Sequence, residues 1–309
     1  MVAGSGTGVA TGKQNMDIRQ LQYLAALARE KHFTRAAEAC GVTQPTLSSR
    51  IRQLEDELGV PIVERGQRYL GLTREGETVL KWAHAILDDS AALYQELSQM
   101  RTGLGGRLTL GVIPTALLFT PRITAAMAAA HPDVGFKILS MTSIEVLEGL
   151  KAHSIDVGIS YLDNEPVEFH TTLPLYEERY CVIVRAGHPL SGRPSVTWTE
   201  VADGPLCLLN AEMQNRRIIN RAFRDVGANP RCQVETTSMS NILGHVLRSG
   251  LIGIVPQDFL ASIGGNPGVA SIPLDGPEVH HTIGLITLDR NPQPPAIAAL
   301  YKACERLAD

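Results

Sequence analysis

The chain has no run of 18 or more apolar residues, which excludes a membrane-spanning helix. Its first fifteen residues are rich in Gly, Ala, Ser and Thr, with Lys13 their one charge, and have no continuous apolar core of the kind a secretion signal needs. They read as a disordered extension, with Met16 as an alternative start, and the expected location is the cytoplasm. Cysteine is sparse and unpatterned. The five thiols, Cys40, Cys181, Cys207, Cys232 and Cys304, show no CxxC or Cys/His ligand spacing. An odd, dispersed set in a cytosolic chain reads as reduced core residues, not as a disulfide framework or a metal site. Also missing are a Gly-x-Ser-x-Gly elbow, a His-Glu-x-x-His helix, a phosphate loop and a glycine-rich dinucleotide fingerprint. His153 and His188 stand alone. No catalytic residue, metal ligand or cofactor is expected.

What is present is a chain of 309 residues, too long for one core, so two or three domains are expected. Hydrophobic residues make up 44% and charged residues 19%, the balance of a globular protein. The net charge of −4 does not suggest a nucleic-acid partner, but its distribution does. Residues 16–74 carry +2 and residues 75–309 carry −7. A mildly basic head on an acidic body fits a DNA-binding module attached to a larger domain.

Residues 17–60 read as three helices. Ile18, Leu21, Leu24, Ala25 and Ala28 recur at helical spacing and should face a core. A second short helix follows with Thr34 as its N-cap and Gly41 at its end. Thr43 caps a third, with Pro45 in the first turn, where a missing N–H costs nothing. In that helix Leu47, Ile51, Leu54 and Leu58 form an apolar stripe, and Pro45, Ser48, Ser49 and Arg52 lie opposite. Small polar residues with an arginine suit a helix lying in a major groove. Residues 62–74 look like a β-hairpin wing, with Arg65, Arg68 and Arg74 available for phosphates.

From Glu75 to about Met100, Val79, Ala83, Ile86, Ser90, Leu93, Leu97 and Met100 follow a 4,3 spacing. This is a heptad seam that asks for a partner helix, most simply a second copy. Gly103–Gly106 reads as a hinge. Beyond it, strands at 107–112, 134–139 and 156–160 alternate with helices from Pro114/Thr115 to His131 and over 143–153. That order means a parallel sheet with crossover helices. Further strands are expected at 180–184, 206–209, 231–235, 251–255 and 281–287, and helices at 211–226, 239–249 and 293–308.

Residues 36–65, Ala-Ala-Glu-Ala-Cys-Gly-Val-Thr-Gln-Pro-Thr-Leu-Ser-Ser-Arg onward, resemble the signature of the LysR-type transcriptional regulators. Leu72-Thr73-x-x-Gly76, His188-Pro189-Leu190 and the stretches at 155–159 and 198–205 resemble further elements of that family. The resemblance implies an α/β multidomain fold over residues 16–309. Its parts are a winged helix-turn-helix at 16–74, a linker and dimerisation helix at 75–102, a hinge at 103–106 and an effector domain at 107–309. The effector domain is of periplasmic-binding-protein type, with subdomain I at about 107–176 and 283–309 and subdomain II at about 177–282. The implied partners are a double-stranded DNA operator, a small-molecule effector, further copies of the chain as dimer and tetramer, and RNA polymerase.

By motif position, Gln44, Pro45, Thr46 and Ser48 carry over as DNA contacts. Thr34, Arg35, Ser49, Arg50, Arg52, Arg65 and Arg68 complete the expected interface. Many members have arginine where Ser49 stands, and Arg50 or Arg52 would compensate. The effector cleft carries over to two helix starts, Pro114-Thr115 and Thr142-Ser143, whose N–H groups, hydroxyls and dipoles suit an anion. Asn210, Met213 and Gln214 should face them from subdomain II. The effector is expected to be a small anion or carboxylate, cyanate- or formate-like. Two rivals remain. One is a redox sensor, because the recognition helix is similar to that of the family's peroxide-sensing members. The cysteine pair of those members would fall at Gln214 and Phe223 here. The other is an enzyme or solute-binding protein on the same α/β fold.

Overall fold

The computed structural model describes residues 16–64, 69–163 and 170–308. The expected extension at 1–15 and the wing residues Arg65 and Arg68 lie outside them. The chain divides into two compact units, residues 1–94 and 95–309, and each is described by itself.

The first unit contains α1 (Ile18–Glu30), α2 (Phe33–Ala39), α3 (Gln44–Leu58) and the first turns of α4 (Arg74–Thr102). Asp17 and Gln20 cap α1 reciprocally, each side chain accepting from the other's backbone N–H. The cap of α2 is His32, whose ring nitrogen accepts from Thr34 N at 3.2 Å, so the expected Thr34 cap is displaced by two residues. Gly59 ends α3 in the left-handed region at φ 71°. Leu21, Leu24, Leu27, Leu47, Ile51 and Leu54 fill the core with Ile62 and Ala83. Ile18 and Leu58, expected to join that core, are exposed because each stands at a helix end beyond the packed turns.

The heptad seam is divided. Ala83 is buried in the core of this unit, and Val79 and Ile86 pack against it. Trp82, Leu93, Tyr94 and Leu97 remain exposed. The first turns of α4 therefore complete the three-helix core, while Leu93 and Leu97 of the later seam stay exposed. Polar ties fix the entry to α4. The Glu55 carboxylate accepts from Ile62 N at 2.8 Å and Val63 N at 3.1 Å. Thr73 donates to Pro61 O at 2.6 Å and accepts from Gly76 N at 2.9 Å. The base of the wing is a single bridge, Val63 to Leu72.

The second unit carries the remaining helices and all ten strands found among the described residues. Its first part runs β1 (Gly106–Val112), β2 (Val134–Ser140) and β3 (Val157–Tyr161), with α5 (Thr120–Ala130) and α6 (Ser143–Lys151) between them. Next comes the long β4 (His170–Arg185), followed by β5 (Val196–Thr197), α7 (Trp198–Ala202), β6 (Pro205–Leu209), α8 (Gln214–Asp225) and β7 (Arg231–Thr236). The chain closes with α9 (Met239–Ser249), β8 (Ile252–Pro256), α10 (Phe259–Ser262), β9 (Val269–Asp275), β10 (His280–Leu288) and α11 (Pro295–Ala308). The strand order is β2-β1-β3-β10-β4-β8-β6-β7, with β9 pairing β4 and β5.

Residues 170–179 of β4 pair with β10, and residues 180–185 pair with β8 and β9, so one strand serves two sheets. Sequence reading found only the second part of β4. Its first part, His-Thr-Thr-Leu-Pro-Leu-Tyr-Glu-Glu, has a proline and no clean alternation. The helix expected from Pro114 is also interrupted. Residues Pro114–Phe119 form a 3₁₀ turn and α5 starts at Thr120. Pro121 has no N–H for Leu117 O, and Thr120 Oγ1 takes that carbonyl instead at 2.7 Å.

A Cβ at Gly76 would collide with the carbonyl group of Ile62. Gly76→Ala should lower the stability of the N-terminal unit by about 1–3 kcal/mol, read as a lower midpoint in thermal unfolding.

Candidate functional site

On the first unit, α3 presents Gln44, Pro45, Thr46, Ser49, Arg50 and Arg52 to solvent, with Ser48 half-buried at the edge of the face. Thr34 and Arg35 of α2 are exposed as well. Pro45, Ser49 and Arg52 lie on one side, opposite the buried Leu47, Ile51 and Leu54. The two arginines differ in what holds them. Arg50 donates to Gln53 at 3.2 Å and lies 3.7 Å from the Asp17 carboxylate, so it is turned toward the start of α1. Arg52 has no hydrogen bond or ion pair among the described residues and is free to reach a base or a phosphate. Arg35 donates to Glu30 O at 2.7 Å and closes the end of α1. Thr43 and Thr46 bond each other through their hydroxyls at 2.8 Å.

In the second unit, the strand registers bring two sets of strand ends together. The C-terminal residue of β3, Tyr161, pairs with Ile283, which pairs with Tyr176 of β4. The C-terminal residue of β8, Pro256, pairs with Tyr180 of β4. Strands β1 and β2 run parallel to β3, and β6 and β7 run parallel to β8. Both sheets therefore point their carboxyl ends at residues 176–180 of β4. In open α/β sheets, ligands bind at such edges.

Val112 and Ser140 are register partners, so Pro114-Thr115 and Thr142-Ser143 follow adjacent strands at this edge. On the other side, Asn210 N bonds Thr236 O at 2.9 Å, which joins the ends of β6 and β7. The expected residues do not form one lining. Thr115 borders a cavity of about 540 Å³ together with Phe119, Tyr176, Glu178, Arg179 and Gln257. Gln214 borders a different one of about 460 Å³, beside Arg217 and His281. Met213 is buried in the apolar core. Thr142 acts as a cap: its hydroxyl accepts from Glu145 N at 3.2 Å, and the Glu145 carboxylate accepts from Thr142 N at 2.7 Å. That carboxylate already occupies part of the positive end of α6. The starts of α8 and α9 carry no such side-chain cap.

Sequence reading missed the polar cluster at the crossover. Glu178 is 2% exposed. Its Oε1 accepts from the Tyr180 hydroxyl at 2.6 Å and from the Tyr161 hydroxyl at 2.9 Å. Thr115 Oγ1 lies 3.5 Å from the Tyr161 hydroxyl. Oε2 is buried without a hydrogen-bond partner. Burial drives the Glu178 carboxyl above its ordinary value, against the pull of Tyr180, Thr115, Tyr161 and His281. Burial also raises Tyr161 and Tyr180, and the nearby carboxylate adds to the shift. Also missed were Ser238, at the start of α9, and Arg216. The Arg216 guanidinium donates to Leu209 O at 2.8 Å and Glu235 at 3.0 Å, tying α8 to the ends of β6 and β7. Ser238 could have been found by the hydroxyl-after-strand rule that picked out Thr115. No sequence pattern marks Glu178, whose role comes from where the strand changes sheets.

Residues 18–77 match the profile of the bacterial regulatory helix-turn-helix proteins of the lysR family, and residues 101–309 match that of the LysR substrate-binding domain. The chain belongs to the LysR family. This LysR regulator is 30% identical over 273 residues to the DNA-binding transcriptional dual regulator OxyR of Escherichia coli, covering 88% of this chain and 89% of that one. Its identity to the hydrogen peroxide-inducible genes activator of Haemophilus influenzae is also 30%, over 88% of this chain and 90% of the other. Among solved structures, a full-length OxyR variant from Pseudomonas aeruginosa superposes with a TM-score of 0.76 at 28% identity, over 94% and 95% of the two chains. CbnR bound to its target DNA shares the fold, with a TM-score of 0.62 at 24% identity over 94% of this chain and all of the other (100%). The family is one of transcriptional regulators with an effector-binding domain, and it is not enzymatic in general. No helix among the described residues is long and apolar enough to cross a membrane.

The raised Glu178 makes a stability prediction with a definite sign. A carboxyl whose folded value lies above its ordinary 4.5 contributes stability that is complete below that value and lost as pH rises through the folded one. Glu178→Gln removes this loss. Its thermal midpoint should exceed that of the parent at about pH 8, with the gap closing toward about pH 4. A constant gap across that range would contradict it.

Proposed function

We propose that this LysR regulator reads an operator with α3 and changes its grip or bend on DNA when a small anion or carboxylate occupies the cleft at the crossover. The observation that carries this reading is the meeting of the carboxyl ends of two sets of parallel strands at residues 176–180 of β4, with Thr115 bordering the cavity there. Free N–H groups at helix starts favour negative charge. We assign residues 16–74 to DNA reading, 75–102 to the linker, 103–106 to the hinge and 107–309 to the effector domain. Gln44, Pro45, Thr46, Ser48, Ser49 and Arg52 face the bases, and Thr34, Arg35, Arg50, Arg65 and Arg68 serve the phosphates. Thr115, Ser143 and Asn210 serve the effector.

The exposed Trp82, Leu93 and Leu97 of α4 support pairing with a second copy, and two such dimers make the tetramer. The protein works in the cytoplasm, where DNA and RNA polymerase are its partners. An effector can shift this assembly only by binding one state of the cleft better than the other.

Identity to peroxide-responsive regulators favours a second reading, redox sensing. The thiols oppose it. Gln214 and Phe223 stand at the positions where the cysteine pair would fall, and Phe223 is packed edge-on against Trp198 at 5.1 Å. Cys181 and Cys207 are buried, and burial pushes each thiol to about 11. Reactive thiols need exposure and a lowered value.

Arg52→Ala should weaken operator binding by about 1–3 kcal/mol in fluorescence anisotropy, with effector affinity unchanged. Thr115→Ala should abolish the effector response with operator affinity intact. A joint loss in either variant would defeat the separation of reader from sensor. Leu93→Glu with Leu97→Glu should shift the assembly to smaller species in sedimentation. An unchanged sedimentation profile would remove α4 from the dimer contact.

A further inference from the structure

Glu178 is an expensive residue to bury. Its carboxyl sits where β4 passes between the two sheets, with one oxygen unpartnered, and borders the same cavity as Thr115. The hydrogen-bond arithmetic around it is restrictive, because each hydroxyl has one proton to give. With Glu178 ionised, Tyr161 and Tyr180 both donate to Oε1, and Thr115 can turn its proton inward, to the Tyr161 oxygen or toward the carboxylate. The cavity then meets the lone pairs of Thr115 above a buried negative charge. With Glu178 neutral, its own proton goes to the Tyr161 oxygen and the Tyr161 proton goes to Thr115. The Thr115 hydroxyl is then free to donate into the cavity.

We propose that Glu178 is the proton-linked group of the effector cleft, so that an anionic effector binds beside Thr115 together with one proton taken from solvent onto the Glu178 carboxyl. This rests on the small-anion reading above. One O–H bond forms on Glu178, the protons of Tyr161 and Thr115 each reorient, and the complex gains one anion and one proton. By linkage, each then favours the other. Burial favours the neutral form of the carboxyl, the form this binding needs.

Other ionisable groups surround it. Tyr176, Glu177 and Arg179 share its strand, and Tyr161 comes from β3. His281 comes from β10 and lies 3.0 Å from Asp163. Arg122 and Asp258 border the cavity. His281→Gln serves as the control for that ring, which lies beside Asp163.

The test is calorimetric titration of the full-length protein with formate between about pH 6 and pH 9, in two buffers of unlike ionisation heat. The parent should lose affinity as pH rises, by up to about tenfold per unit, with proton uptake on binding. Glu178→Gln should bind formate with a flat pH profile, and His281→Gln should keep the parent's slope. Tyr161→Phe, which keeps the acid but removes the hydroxyl between it and Thr115, should bind more weakly at the low end of the range. A flat parent profile overturns the inference and leaves the small-anion reading standing. So does a slope that survives in Glu178→Gln or vanishes in His281→Gln. If formate, acetate and cyanate all fail to bind at every pH, the anion reading falls and takes this inference with it.

Discussion

The second unit depends on one strand. β4 is sixteen residues long and satisfies its backbone in two sheets in succession, bonding β10 up to Arg179 and β8 with β9 from Tyr180. Because it cannot end between them, the carboxyl ends of both parallel sets are forced to face the same few residues. The cleft follows from that continuity and needs no loop to shape it. The same constraint explains the polar cluster. Tyr161, Glu178 and Tyr180 converge because β3 ends and β4 changes sheets at the same register. A buried acid is tolerated there because two phenols supply donors, and it remains poised because its second oxygen has none.

The first unit is held by a different device. Its helices pack through an ordinary apolar stripe, but the passage from α3 to α4 is fixed by polar side chains bonding backbone. Glu55 takes two N–H groups that would otherwise be buried without partners. Thr73 satisfies the backbone on both sides of the turn, and Gly76 allows α4 to approach Ile62 closely. These contacts fix the passage from α3 to α4 and add nothing to the exposed face of α3. They give a physical reason for the Leu-Thr-x-x-Gly pattern at 72–76.

The relationship to peroxide-responsive regulators covers most of the chain, yet the chemistry that would carry peroxide sensing is missing where it should stand. Gln214 bonds Arg217 at 2.5 Å, and Phe223 is a core residue. Similarity across the scaffold therefore leaves the signal open, and the polar groups at the strand ends decide it. Among those groups Glu178 is the most unusual, a carboxyl buried with one oxygen unpartnered.

Much of this was legible in the sequence. The apolar stripes of α1 and α3 and the turn chemistry at Gly41, Thr43 and Gly59 marked the helix-turn-helix, because helical periodicity and caps are local properties. The alternation of strands with helices marked the parallel sheets for the same reason. Local rules failed where a tertiary partner intervened. Ala83 joined its own unit's core instead of a partner's seam, Pro121 split a helix, and Thr142 was used up as a cap by Glu145. The first part of β4 was invisible because Pro174 interrupts it and its burial follows no period of two. The sequence by itself determined most of the helices and parallel strands, the solvent-facing side of α3 and the family to which the chain belongs. Only the tertiary structure decided that Glu178, Tyr161 and Tyr180 meet beneath Thr115, because residues from β3 and β4 become neighbours through register and not through spacing along the chain.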